Sequence, residues 1–327
     1  MKSKKVILIA PTNNDYPIEI KKELENYFCE VHFYDERNHP SFIDKVIYRK
    51  KPSLFKRKIN KYYSSIADKE KDFNPDYVLF ISPETINEES LLNLKKCFAN
   101  AKFILYMWDS IENKNVKNIF SLFDRVLSFD DGDCNKYGFV FRPLFYSSTY
   151  ENYSDNISTT YGLSFIGTAH SDRAKLVYNT LQECKKAGIE MFCYVYAQGK
   201  FMFLKNYFSN KYFRKLTKLK LTHSKLLDKK DAYKIMLSSI CILDINHPLQ
   251  TGLTMRTIEA IGFNKKLITT NQHIKKYDFF NENNILLIER NDCHLNTVFL
   301  NGEYFKLDAN EYKKYSLKQW IADVFEA

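Results

Sequence analysis

The chain has 327 residues and a formal net charge of +10, with 45% hydrophobic and 27% charged residues. This composition is typical of globular proteins and excludes a disordered or collagen-like chain. The length predicts two domains, and no apolar run approaches the roughly 18 residues that cross a bilayer. The run Val6–Ala10 is shorter than the roughly 7–15 apolar residues of a secretory signal, so we interpret it as a buried strand of a cytoplasmic protein.

Short apolar runs alternate with amphipathic stretches over residues 1–150. The runs lack polar–apolar alternation, which is typical of strands buried on both faces of a parallel sheet. In chain order the predicted strands are Val6–Ala10, Val31–Tyr34, Tyr77–Ile81, Phe103–Met107, Arg125–Phe129 and Phe139–Phe141. The predicted helices are Asp15–Asn26, Glu88–Phe98 and Glu112–Leu122. This alternation predicts a doubly wound α/β domain.

A polar segment, Tyr146–Thr160, has no apolar period and predicts a linker. The alternation restarts over 160–311, which predicts a second α/β domain. Its predicted strands are Gly162–Ile166, Glu190–Tyr196, Ile240–Ile245, Lys266–Thr269 and Ile285–Ile288, and its predicted helices are Asp172–Ala187, Asp231–Ser238 and Gly252–Ile261. Residues 312–327 predict a final helix with one apolar face, which must pack against another element. The predicted fold class is therefore α/β, with two Rossmann-like domains.

Two segments hold the excess positive charge. Residues 49–61 contain seven basic and no acidic residues, and residues 200–230 contain ten basic residues and one acidic residue, Asp228. Each segment would suit a solvated face, an anionic membrane surface or a nucleic acid. No nucleic-acid-binding motif accompanies the charge. We therefore expect an anionic membrane surface, and not a nucleic acid, as the partner of both segments.

In an open α/β sheet, ligands bind beyond the carboxyl ends of the strands, so residues that follow strands are candidates for a site. After the third predicted strand of the second domain, Thr251 and Gly252 stand at the expected start of a helix, where free N–H groups favour phosphate. Thr254 adds a hydroxyl, Arg256 would pair with a diphosphate, and Glu259 would accept hydrogen bonds from ribose. The alternative is a capped helix in which Arg256 and Glu259 form an i,i+3 ion pair.

A second candidate follows the first strand of the second domain. Gly167, Thr168 and Ser171 would cradle phosphate oxygens, and Arg173 would add positive charge. The alternative is an ordinary turn in which Ser171 or Asp172 caps a helix.

Two candidates lie in the first domain. Asp109 follows the strand Phe103–Met107 and would act as a general base toward an acceptor hydroxyl, or would cap a helix. Asn13 and Asn14 would bind acceptor hydroxyls, although turn chemistry explains them equally well.

The sequence disfavours several other kinds of site. Asp130, Asp131 and Asp133 would suit a divalent metal, but their place between a strand and a short helix favours capping, so we predict no metal. No GxGxxG, GxxxxGK[ST] or GxSxG motif occurs, which disfavours dinucleotide, P-loop and α/β-hydrolase sites. The seven cysteines include no CxxC pair, which predicts reduced thiols.

Three stretches of the second domain are informative together: FIGTAHSDR, DAYKIMLSSICILDINH and TGLTMRTIEAIGFNKKLITTN; the stretches LYMWDS, DRVLSFDDGDCNKYG and FRPLFY of the first domain are weaker signals. In these stretches the sequence resembles the GT-B glycosyltransferases of bacterial surface-polysaccharide biosynthesis, including lipopolysaccharide and capsule. The resemblance implies an acceptor-binding first domain (1–150), a nucleotide-sugar-binding second domain (160–311) and a final helix (312–327) that crosses back to the first. It also implies a nucleotide-sugar donor as substrate, with no metal and no other cofactor.

One position departs from this family. Retaining members often carry two glutamates separated by seven residues at the donor helix. Glu259 matches the second, ribose-binding glutamate, but Thr251 stands at the first position. This favours an inverting displacement in which Asp109 is the base and Arg256 stabilises the leaving diphosphate.

The implied reaction is metal-independent sugar transfer to a lipid-linked or surface-polysaccharide acceptor at the inner face of the cell membrane. The alternatives are a non-catalytic two-domain ligand-binding protein and, from charge alone, a nucleic-acid binder.

Overall fold

The computed structural model describes residues 3–12, 15–37, 52–111, 116–147, 157–248, 250–291 and 295–326. The chain divides into two units: the first comprises residues up to Pro143 together with Leu317 onward, and the second is Leu144–Ser316. The predictions for Asn13 and Asn14, and those for parts of the segments 49–61, 112–122 and 146–160, concern residues outside the described ranges.

The first unit is built on a parallel sheet. Its strands are β1 (Lys5–Ala10), β2 (Glu30–Asp35), β3 (Tyr77–Ile81), β4 (Lys102–Met107), β5 (Arg125–Ser128) and β6 (Val140–Phe141). Within the described residues they form one six-stranded sheet in the order β2-β1-β3-β4-β5-β6. The connecting helices are α1 (Tyr16–Leu24), α2 (Lys56–Lys69), α3 (Glu88–Cys97) and α4 (Asp131–Tyr137).

The continuous apolar runs become the central strands of this sheet. Every side chain from Val6 to Ala10 in β1, and from Phe103 to Met107 in β4, is fully buried. Both faces of these strands are therefore covered, which is the physical reason that their sequences lack alternation. The strand order reverses between β1 and β3, so the switch point of the sheet lies at their carboxyl ends.

The second unit repeats this plan with a different strand order. Its strands are β7 (Tyr161–Thr168), β8 (Met191–Tyr196), β9 (Thr222–His223), β10 (Ser239–Asp244), β11 (Lys266–Thr269) and β12 (Ile285–Leu287). Its helices are α5 (Arg173–Lys186), α6 (Gly199–Ser209), α7 (Lys211–Lys218), α8 (Lys229–Leu237), α9 (Met255–Gly262), α10 (Thr297–Asn301) and α11 (Ala309–Lys314). The described strands pair in parallel in the order β12-β11-β10-β7-β8-β9, so the switch point lies between β7 and β10.

The last helix, α12 (Leu317–Phe325), belongs to the first unit. Trp320 is fully buried, and its ring meets that of Tyr106 edge-on with the centroids 4.7 Å apart. The Phe325 ring packs against those of Phe28 and Tyr77, with centroids 4.8 and 5.0 Å away. These contacts place the apolar face of the helix in the core of the first unit.

The fold class predicted from the sequence is confirmed, with local differences. Helix α12 begins at Leu317 because Tyr315 and Ser316 interrupt the helical run, and the Tyr315 carbonyl accepts a hydrogen bond from the Tyr146 N–H at 2.8 Å. The described part of the predicted helix Glu112–Leu122 contains only a short 3-10 turn, Phe120–Leu122. Among the described residues, none of the helices combines the length and apolar character needed to cross a membrane.

Candidate functional site

Arg173 joins the two strand ends that form the switch point of the second unit. It is the first residue of α5 and directly follows the loop after β7. Its Nε donates to the Ile245 carbonyl at 2.6 Å, just beyond β10, and its Nη1 donates to Thr168 Oγ1 at 2.9 Å at the end of β7. The side chain thereby joins the two strands at the switch point, where doubly wound sheets bind ligands.

The buried carboxylate of Asp244, the last residue of β10, organises the start of α9. Thr254 Oγ1 donates to Asp244 Oδ1 at 2.8 Å, and Thr257 Oγ1 donates to Asp244 Oδ2 at 3.0 Å. Thr254 also caps the helix by accepting the Thr257 N–H at 3.2 Å. The helix therefore begins later than predicted, and Thr251 and Gly252 lie in the loop before it.

That loop is tied to the neighbouring strand ends. The Asn271 amide, just beyond β11, donates to the carbonyls of Thr251 at 3.3 Å and Gly252 at 3.2 Å. The Asn246 amide, just beyond β10, donates to the Gln250 carbonyl at 3.0 Å. The loop that would approach a ligand is thus held by two asparagine side chains from adjacent strand ends.

Arg256 and Glu259 form the ion pair that the sequence offered as one alternative. Arg256 Nη1 lies 2.6 Å from Glu259 Oε2, and the Glu259 side chain is only 3% exposed. Arg256 Nη2 also donates to the Ile166 carbonyl of β7 at 3.3 Å. Arg256 therefore links α9 to β7 and lies at the same switch point as Arg173.

Arg290 is a site residue that the sequence analysis missed. It follows β12, and its Nη1 donates to Asp172 Oδ1 at 2.7 Å, while its Nη2 donates to both the carbonyl and the Oδ1 of Asn246 at 2.8 Å. The sequence feature that could have indicated it is the position of a basic residue shortly after the predicted strand Ile285–Ile288. Nothing in the sequence indicated that it meets the loops after β7 and β10.

The three arginines converge on adjacent strand ends. Their guanidinium groups reach the carbonyls of Ile166, Ile245 and Asn246. Burial lowers the pKa of Arg173; Asp244 opposes this shift, and the positive charges of Arg256 and Arg290 add to it. Arg173 thus feels the positive charge of both neighbours, and a site of this kind favours an anion.

Two histidines lie at the same edge. The rings of His170 and His247 are 5.6 Å apart between centroids. Burial lowers the pKa of His170 to about 4, and the nearby Arg173 and His247 contribute to the shift. His170 is therefore neutral at pH 7 and accepts or donates hydrogen bonds without adding charge.

The remaining candidates of this loop have local structural roles. A Cβ on Gly167 would lie 2.7 Å from Phe165 Cζ, so packing against the Phe165 ring is sufficient reason for glycine there. Thr168 holds Arg173, as described above. Ser171 adopts a left-handed conformation with φ of 52°, and Asp172 makes no side-chain capping bond in the turn that leads into α5.

Asp109 lies in the first unit, whereas the candidate residues for the donor site lie in the second. It is half-buried and follows β4 at the carboxyl edge of its sheet. The preceding residue, Trp108, donates its N–H to Ser82 Oγ at 2.8 Å, which ties this loop to the one after β3. Asp109 is thus placed on the edge where α/β sheets bind ligands.

Two aspartates of the DDGD segment, Asp130 and Asp133, act as structural groups. Asp130 Oδ1 accepts the N–H groups of Gly132 and Asp133 and so caps α4, while Asp133 Oδ2 accepts the Ile111 N–H at 2.8 Å. Across the described part of the chain, no group of three or more His, Cys, Asp or Glu side chains is arranged to hold a metal ion.

The described basic residues of segment 49–61 lie on a solvated helix face. Ile59, Tyr63 and Ile66 of α2 are buried. Arg57, Lys58 and Lys61 on the same helix are exposed. The helix is therefore amphipathic, with its positive charge directed away from the core.

No family model matches the sequence, and no curated protein matches it in a sequence comparison. Solved structures are similar in fold. A glycosyltransferase from Rickettsia africae has a TM-score of 0.60 at 14% identity, covering 100% of this chain and 98% of its own. HepE from Anabaena, solved with UDP and glucose, has a TM-score of 0.60 at 10% identity, with 99% and 100% covered.

A UDP-GlcNAc 2-epimerase from Methanocaldococcus jannaschii, solved with UDP-GlcNAc and UDP, has a TM-score of 0.52 at 10% identity, covering 99% of this chain and 100% of its own. At such low identities the likeness establishes the fold alone. The two-domain GT-B architecture expected from the sequence is confirmed, and the chain has the fold of these solved proteins over almost its whole length.

Proposed function

We propose that this chain is a glycosyltransferase that moves a sugar from a nucleotide-sugar donor, with UDP as the first nucleotide to test. The convergence of Arg173, Arg256 and Arg290 on adjacent strand ends carries this proposal. A diphosphate is an anion whose oxygens match the donor geometry of guanidinium groups. The likeness in fold to HepE, solved with UDP and glucose, supports the same choice.

The donor-side residues take distinct roles in this proposal. Arg256 and its two arginine neighbours stabilise the charge that develops on the leaving diphosphate. Glu259, held by Arg256, accepts hydrogen bonds from the ribose. Backbone groups of Gly167, Thr168, Thr251 and Gly252, with the Thr254 cap, line the phosphates. Because guanidinium groups supply the positive charge, the reaction proceeds without a metal ion.

The first unit supplies the acceptor side. Asp109 removes the proton of an acceptor hydroxyl as the sugar is transferred, which corresponds to inversion at the anomeric carbon. We propose a lipid-linked or surface-polysaccharide acceptor. The chain then works as a peripheral protein at the inner face of the cell membrane, and its basic segments 49–61 and 200–230 favour that location.

Calorimetric titration with UDP, followed by an assay of UDP release from a panel of UDP-sugars, tests the donor site. Arg173→Gln should weaken UDP binding about tenfold or more, because it removes a charged group that contacts both strand ends. Lys186→Gln is the matched control, since it makes the same charge change at the other end of α5, where the lysine side chain is 74% exposed. Equal affinities of the two variants would contradict the proposed site.

Product analysis separates transfer from the alternatives. A non-catalytic ligand-binding protein binds the nucleotide sugar without releasing UDP, and an epimerase returns an altered sugar. Transfer predicts UDP release that increases when a lipid-linked saccharide or polysaccharide acceptor is added, and release that persists in the presence of a metal chelator would support metal independence. Loss of release in Asp109→Asn, with UDP affinity unchanged, would support the role of Asp109 as base.

A further inference from the structure

Helix α6 exposes a stripe of large apolar side chains. Phe201, Leu204 and Phe208 are 68%, 55% and 73% exposed, and their spacing of three and four residues places them on one face of the helix. We name these three residues the apolar stripe. Because burial of such side chains is favourable, three together on one helix face indicate a surface that is covered during function.

The opposite face of α6 fixes the helix to the second unit. Phe203 and Tyr207 pack against the core of that unit. Phe203 also meets the Phe213 ring of α7, with centroids 5.3 Å apart. At the end of the helix, Arg214 Nη1 donates to the Tyr207 carbonyl at 3.2 Å. The apolar stripe is therefore presented by an anchored, capped helix.

The sequence on both sides of the apolar stripe is rich in positive charge. Exposed lysines lie on α6 and on the following α7: Lys200, Lys205, Lys211, Lys215 and Lys218. The sequence has no acidic residue between Gly199 and Leu227. Large apolar side chains in a segment that is rich in lysine and has no acidic residue are typical of helices that lie in the interface of an anionic bilayer. An acidic protein surface would pair with the lysines but would give the apolar stripe no comparable environment.

We propose that the apolar stripe of α6 inserts into the interfacial layer of an anionic membrane, with the lysines of α6 and α7 contacting lipid headgroups. Insertion differs from attraction by charge alone, because the contact of apolar side chains with the bilayer persists at salt concentrations that screen the charges of the lysines. The surface belongs to the second unit and does not include the arginine cluster, so membrane binding can be measured independently of donor binding.

Vesicle flotation tests the proposal with mixed phosphatidylglycerol and phosphatidylcholine vesicles. Changing Phe201, Leu204 and Phe208 together to Ser should lower the partition coefficient by about tenfold or more, because each lost side chain removes apolar area from the interface. The matched control changes Ile18, Val298 and Phe305 to Ser. These residues are 57%, 79% and 50% exposed but lie outside the apolar stripe, so vesicle binding should be unchanged.

Two further measurements separate insertion from other contacts. Phe208→Trp should be quenched by brominated lipids relative to the wild type, and binding should persist in part at about 1 M salt, where the screening length is roughly 3 Å. Unchanged vesicle binding in the variant of the apolar stripe, or no quenching of Phe208→Trp, overturns the proposal. A dimer that dissociates on changing the apolar stripe, with vesicle binding unaffected, overturns it in favour of a second copy as the partner.

Discussion

Arg256 Nη1 lies 2.6 Å from Glu259 Oε2, one turn further along α9. This contact gives the arginine two roles, because the guanidinium that is proposed to meet the diphosphate also neutralises a carboxylate whose side chain is 3% exposed. Removing one partner of a buried pair leaves an uncompensated charge. A single substitution of Arg256 would therefore confuse loss of stability with loss of catalysis.

A double-mutant cycle separates the two roles. Arg256→Gln should lower the free energy of unfolding by about 3 kcal/mol because Glu259 is left unpaired. Adding Glu259→Gln to this variant should restore on the order of 1–3 kcal/mol of the lost free energy of unfolding. Urea unfolding measures the stabilities, and UDP release from a UDP-sugar measures activity. We expect the double variant to regain stability but to release UDP more slowly than Glu259→Gln alone, and equal release by these two variants would restrict Arg256 to a structural role.

The free energy of unfolding should depend on the protonation of His170. Its pKa is about 4 in the folded chain against an ordinary 6.5, so the unfolded chain binds more protons between these values. Stability therefore rises as the pH rises through this range and is lost on acidification. Urea unfolding at several pH values should show a shallower dependence for His170→Gln than for the wild type. An identical dependence would contradict the assignment.

UDP should raise the pKa of His170. Arg173 and Arg290 contribute to its present low value, and a diphosphate among these arginines offsets their charge. NMR titration of the imidazole protons with and without UDP measures this change. His223 is the internal control, since burial alone lowers its pKa. If the pKa of His170 does not rise when UDP binds, the nucleotide lies elsewhere.

Arg290→Ala should weaken UDP binding, although its role was not predictable from the sequence. The side chain joins Asp172, ahead of α5, to Asn246, beyond β10. Loss of these charged hydrogen bonds should raise the Kd for UDP by about tenfold. Arg290→Lys keeps the charge but not the forked geometry, so we expect an intermediate Kd by calorimetry. The exposed Lys275, changed to Ala, should leave the Kd unchanged.

Trp320→Ala should destabilise the first unit. The indole is fully buried against Tyr106, and truncating a buried tryptophan costs about 3–5 kcal/mol. Thermal unfolding followed with and without UDP distinguishes the units, because UDP should raise the transition of the second unit only. We expect Trp320→Ala to lower the transition temperature of the first unit. Lys318→Ala, at an exposed position of α12, should leave the transition temperatures of both units unchanged.

The sequence predicts the buried strands well. The predicted strand Tyr77–Ile81 coincides with β3, because burial on both faces requires a continuous apolar run. The edge strand β9 has only two residues, Thr222 and His223, and gives no such signal. Strand prediction from sequence is thus reliable where the backbone is covered on both faces.

The candidate site was only partly predictable. Thr251 and Thr254 are both plausible caps from sequence, and the choice of Thr254 depends on the Asp244 carboxylate ten residues earlier. Arg290 meets Asn246 only because the strand order sets their loops side by side. In α6, Phe201 and Phe203 are the same residue type, and only the packing of the helix shows that Phe201 faces outward and Phe203 faces the core. The sequence therefore indicates the chemical character of the site residues, but not which residues far apart in the chain lie close together in the fold.

The path of the chain also constrains how the protein is made. The first unit needs α12, whose residues are synthesised after the whole of the second unit. Trp320 cannot pack on Tyr106 until the ribosome has translated the intervening residues. Domains completed early can fold during translation, so the second unit has the opportunity to reach its native state first. The first unit therefore completes its core only after α12 has been translated.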